Sequence, residues 1–129
     1  MSRENEKSEM SLQEISEFLD IEEKNSLIRK KIEKYDRQIQ ELFKKTDELE
    51  IQMEKKKEEY EIGRDFAKSK ENEIKNMTQQ EKEELNVRLK ETIRANLEFQ
   101  RLVLEYTSDV IKISKLSLKL KELKNKFNL

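Results

Sequence analysis

Apolar residues recur at alternating intervals of four and three along the first half of this chain. The series runs Ile28, Ile32, Tyr35, Ile39, Leu42, Thr46, Leu49 and Met53, and its phase continues through Lys56, Tyr60, Gly63, Ala67, Lys70, Ile74 and Met77. The spacing averages about 3.5 residues, the period at which one stripe of a helix keeps facing another helix in a left-handed coiled coil. A phase held from 28 to 77 does not arise in a disordered charged chain. The seam is apolar from 28 to 53 and weaker from 56 to 70, where lysines and a glycine take core positions. Gly63 costs about 1 kcal/mol of helix propensity relative to Ala, so this segment reads as the softest of the first half.

A chain with this repeat can still be cut into short helices if it has turns. This one has few residues to make them. It holds one Gly and no Pro in 129 residues, and turns draw on Gly, Pro, Asn and Asp. Charged residues are 44% of the chain and hydrophobic ones 33%, far from the composition of an ordinary globular domain. The expected fold class is therefore all-α.

A second repeat starts at Leu85 and reads Leu85, Leu89, Thr92, Asn96, Phe99, Val103, Tyr106, Val110, Ile113, Ser117, Leu120, Lys124, Phe127. Met77 and Leu85 are eight residues apart, so one residue is surplus to the heptad inside "KNMTQQEKEEL", 75–85. Between 85 and 129, 20 of 45 residues are apolar, against 15 of 57 between 28 and 84. The extra ones (Ile93, Leu97, Leu104, Ile111, Leu116, Leu118, Leu123) lie beside the main seam and widen the stripe. A wide stripe needs more than one neighbouring helix to cover it.

Two architectures fit. One is a long coiled-coil helix that absorbs the surplus residue as a heptad skip near 77–85. The alternative is a two-helix antiparallel hairpin turning near 76–79. Asn76 can end a helix, and Thr78 with Glu81 can cap the next. Matching seams then pairs Ile74 with Leu85, Tyr60 with Phe99, Leu49 with Val110, Ile39 with Leu120 and Ile32 with Phe127. Charge agrees with an antiparallel arrangement: residues 1–27 carry eight acids and three bases, residues 110–129 six lysines and one acid. In either case 1–10 is a flexible polar N-terminus, and Ser11 with Glu14, stapled by Met10 and Ile15, starts the first helix. Residues 11–76 form a narrow-seamed spacer segment, and 78–129 a broad-seamed assembly segment.

Catalytic chemistry has little to work with. The chain has no His and no Cys, which excludes imidazole acid–base catalysis, thiolate nucleophiles and disulfides. A single Gly excludes a Gly-rich phosphate loop. Carboxylate pairs such as "EKEEL" read as solvated helix faces. No enzyme activity, cofactor or metal is expected. The tail "KISKLSLKLKELKNKFNL", 112–129, is basic and amphipathic. Membrane and nucleic-acid binding are the minor readings of it, and helix packing the major one, because the seam runs into it. Net charge is −1, which supplies no general pull toward polyanions.

The expected function is that of a non-enzymatic coiled-coil scaffold subunit of a larger assembly, of cytoskeletal type (ciliary, centrosomal or kinetochore). Its partners are other coiled-coil proteins or a second copy. Alternatives are a helical-hairpin chaperone or stalk protein of a secretion apparatus, or a nucleic-acid-associated coiled coil. The expected partner-helix interface is Ile28, Ile32, Ile39, Leu42, Leu49, Leu97, Phe99, Val103, Tyr106, Val110, Ile113, Leu120, Leu123 and Phe127. No run of about 18 apolar residues occurs, and "MSRENEKSEM" lacks the apolar core of a signal peptide. The expected location is intracellular, cytoplasmic or cytoskeletal.

Overall fold

A computed structural model describes residues 11–128. The expected flexibility of 1–10 lies outside the described residues. Helix α1 spans Leu12–Lys70, tightens into a 3-10 segment at Glu71–Asn76, and is followed by α2, Gln79–Lys126. The fold is all-α and hairpin-like. Of the two architectures, the continuous helix is thereby set aside and the hairpin holds.

The reversal has a local cause. Met77 is extended (φ −75, ψ 141), which no helix can pass through, and its amide closes on the Ile74 carbonyl at 3.2 Å. Thr78 then caps α2. Its Oγ1 accepts the Glu81 amide at 3.2 Å and donates to the Glu81 carboxylate at 3.2 Å. Ser11 does the same for α1, accepting the Glu14 amide at 3.1 Å. Each cap satisfies one amide that a helix start leaves without an internal partner. The turn needs neither Gly nor Pro because the 3-10 segment and a two-residue link make it. At the far end, Asn128 takes a left-handed conformation (φ 56), a cap that Asn tolerates better than most residues.

The described residues form two compact units, 11–39 with 116–128, and Gln40–Lys115. In the second unit the antiparallel register is set by named pairs. Gly63 meets Thr92, the Arg88 guanidinium stacks 3.9 Å from the Phe66 ring centre, and Tyr106 Oη donates to Glu50 at 2.9 Å. The numbers of these pairs sum to 154–156, as a reversal between Met77 and Thr78 demands. In this unit the pairing expected from the seams, which sums to 159 as in Tyr60 with Phe99, is corrected by about one helical turn.

The same shift resets one track of the α2 seam. Thr92, Ala95, Leu102, Asp109 and Ile113 are buried, with Phe99 and Tyr106 half-buried between them. Ala95, Leu102 and Asp109 replace Asn96, Val103 and Val110, each one residue further along. On α1 the expected series holds: every position of it from Gln40 to Lys70 is buried or half-buried.

Gly63 is no flaw in this seam. It is buried, and a Cβ placed there would overlap Thr92 Oγ1 and lie 2.8 Å from its Cγ2 and 2.9 Å from its Cβ. The missing side chain lets α2 come close. Thr92 keeps its own hydroxyl satisfied by donating to the Arg88 carbonyl at 2.9 Å.

In the first unit, Ile39 and Leu120 are buried, and Ile28, Ile32, Tyr35, Leu116 and Leu123 are half-buried. Every residue from Ser11 to Lys24 is exposed. Among the described residues, no helix is long and apolar enough to cross a membrane.

Gly63→Ala should therefore lower stability by on the order of 1–3 kcal/mol, the usual cost of overpacking, although Ala is the better helix former. Adding Thr92→Ala removes Oγ1 and Cγ2 from the clash and should recover part of the loss. Thermal unfolding of the three proteins checks this. A Gly63→Ala protein more stable than the parent would refute the close approach.

Candidate helix-docking face

Most of the expected interface residues are used inside the chain. Ile39, Leu49, Ile113 and Leu120 are buried, and Ile28, Ile32, Leu42, Phe99, Val103, Tyr106 and Leu123 are half-buried. Only Leu97, Val110 and Phe127 are exposed, at 58%, 39% and 38%. The helix that covers the α1 seam is α2 of the same chain.

A second stripe remains uncovered. In the second unit, Ile93, Leu97, Gln100, Leu104, Thr107, Ile111 and Ser114 follow one another at spacings of four and three along α2. All seven are exposed, and Leu104 reaches 72%. One row of this stripe, Leu97–Leu104–Ile111, is apolar throughout. The row beside it is small or polar after Ile93 (Gln100, Thr107, Ser114). Asn96, Val103 and Val110 lie between this stripe and the hairpin seam. None of these ten positions carries a charge, in a chain that is 44% charged.

The opposite side of α2 is different in kind. It carries Glu91, Arg94, Glu98, Arg101, Glu105 and Lys112. Arg101 pairs with Glu98 and, at 3.3 Å, with Glu105. The guanidinium holds the Glu98 carboxyl below its ordinary range. An open groove of about 740 Å³ lies on this side, with Glu59, Glu83, Glu84 and Glu91 around its rim. Water reaches those carboxylates freely. The uncharged face is thus confined to one side, and it has the heptad spacing that takes a helix as its cover.

A buried carboxylate sits between the two helices of this unit. Asp109 is 1% exposed. The register puts it level with Thr46, which is also buried and donates to the Phe43 carbonyl at 2.9 Å. Lys45 Nζ lies 3.2 Å from Asp109 Oδ2 and 3.3 Å from Glu105. The contact between Lys45 and Oδ2 is an ion pair. Lys112 adds a longer contact to Oδ1, 3.8 Å. Asp109, then Glu105, raises the Lys45 ammonium above its ordinary range. Glu50 raises the Tyr106 phenol. Nothing in the apolar repeat points to Asp109. The signal that could have found it is the register, which aligns it with the polar Thr46.

Lys45→Met should destabilise the hairpin, because it leaves Asp109 buried with only a distant counter-charge. Lys45→Met with Asp109→Leu should recover the loss, since apolar replacement of a buried pair is commonly neutral or better. A double variant weaker than Lys45→Met would contradict this. The raised groups also fix a pH trend. Both stabilise in their protonated forms, so their contribution is complete below their ordinary values. It fades as pH rises through the raised ones. The melting temperature should fall above about pH 10, the ordinary range of the phenol. Lys45→Met should flatten part of that fall.

Compared with protein-family models, curated proteins and solved structures, the chain matches none.

Proposed function

We propose that the chain is a non-enzymatic scaffold subunit whose hairpin offers the outer face of α2 to an amphipathic helix of another coiled-coil protein. The observation that carries this reading is the exposed row Leu97, Leu104 and Ile111, held in heptad phase on a face without charges. Covering such side chains is worth about 1.5–3 kcal/mol each before the costs of association. In the second unit the hairpin's own seam is already occupied, which leaves the outer face of α2 there for a partner. The assembly is proposed to be cytoskeletal and the location intracellular. A fluorescent fusion should then mark a filament or organelle, and a diffuse signal would count against it.

The hairpin itself favours one second reading, a chaperone or stalk protein of a secretion apparatus. Recovery of an export ATPase with the purified chain would select that reading over the scaffold.

Leu104→Asp with Ile111→Asp tests the face without touching the fold. Each change removes an apolar anchor worth more than about 1.4 kcal/mol, the value of a tenfold change in affinity. Recovery of coiled-coil partners from cells should drop at least about tenfold, with helicity and melting temperature nearly unchanged. The same partners retained at the same yield would show that this face is not the interface. Ile113 is unsuited to the test, because it is buried in the hairpin seam and an Asp there would unfold it.

A further inference from the structure

The first unit holds two helical stretches of opposite charge, one exposed along its length and one covered on a single side. On α1, every residue of the segment Leu12 to Leu27 is exposed except the half-buried Asn25. Its apolar side chains are exposed: Leu12 at 87%, Phe18 at 52%, Leu19 at 53%, Ile21 at 56% and Leu27 at 66%. Phe18, Ile21, Asn25 and Ile28 continue the 4-3 spacing of the hairpin seam backwards. The seam therefore runs on after its cover has ended. The same segment carries Glu14, Glu17, Asp20, Glu22 and Glu23 against the single Lys24.

On α2, the final stretch Leu116–Lys126 carries Lys119, Lys121, Lys124 and Lys126 against the single Glu122. Leu118 is 58% exposed and Phe127 38%, while Leu116 and Leu123 are only half-buried. Among the described residues, none of these acids or lysines forms an ion pair within the chain. An acidic segment without a cover and a basic helix end are complementary in charge, and neither has an ion pair among the described residues.

We propose that the uncovered segment Leu12–Leu27 docks on the basic end of α2 of a second copy of this chain, forming a two-fold dimer. Two-fold symmetry makes the contact twice, once from each protomer. The segment is about 24 Å long, four to five turns of helix, enough for a line of apolar contacts flanked by acid–lysine pairs. Alternative docking of one acidic segment on the other would set like charges together, which the composition opposes. This dimer uses a different surface from the row Leu97, Leu104 and Ile111, so the two proposals can fail separately.

Sedimentation equilibrium on the full chain tests it. The parent should dimerise, with a dissociation constant that rises at least about tenfold from low to high salt as the charges are screened. Glu14→Lys with Glu17→Lys and Asp20→Lys should be monomeric. So should Lys119→Glu with Lys121→Glu and Lys124→Glu. A mixture of the two variants should dimerise again, because each then supplies what the other reverses. Circular dichroism of each variant reports whether the hairpin is kept. Leu104→Asp with Ile111→Asp should leave the dimer intact. A monomeric parent, a dimer that survives either reversal, or a mixture of folded variants that stays monomeric would each overturn the proposal.

Discussion

The close approach of Gly63 to Thr92 is the contact on which the central unit of the hairpin depends. It brings the helices together where a larger residue would hold them apart, and it does so at one register only. Sliding α2 by a turn would put another side chain against Gly63 and would carry Asp109 away from Lys45. The apolar seam alone does not choose between such registers, because leucines and isoleucines a turn apart pack almost equally well. A size constraint at one level and a charge constraint at another remove that freedom. Asp109 packs less favourably than an apolar residue would, and its pairing with Lys45 favours one alignment over its neighbours.

Much of this architecture is legible in the sequence, and the limits are instructive. The α1 seam can be read residue by residue, since its spacing is strict and its flanks are charged. The capping at Ser11 and Thr78 is legible for the same kind of reason, a short polar side chain three residues before a glutamate. The α2 seam is legible only on one track, through Thr92, Phe99, Tyr106, Ile113 and Leu120. On the other track two columns compete. Val103 and Val110 make one of them look apolar, while Asp109 interrupts the column that is truly buried. The decoy is apolar because it borders a second face on the same helix. Two seams written on one helix cannot be separated by periodicity, because both repeat every seven residues.

On the function proposed above, that ambiguity carries the functional content of α2. A helix that served only the hairpin would carry charges on its outer side, as α1 does at most positions, Ile51 and Ile62 being exceptions. Instead the uncharged face of α2 extends around the helix to the row Leu97, Leu104 and Ile111, and stops at the charged side that holds Arg101 and its glutamates. Gly63 shows the converse limit. By propensity it is a weak point, and only the position of Thr92 turns it into a contact. Such a reversal of sign needs the partner's coordinates and could not come from the chain's own pattern.

The central claim is that one chain folds back on itself in this register and so leaves the outer face of α2 free. Because the chain has no cysteine, Glu50→Cys with Tyr106→Cys provides two unique thiols where the structure places a hydrogen bond of 2.9 Å. Treated at high dilution with a short bifunctional thiol reagent, the protein should form a cross-link within single chains. Cross-links found only between chains, or none at all, would contradict the hairpin.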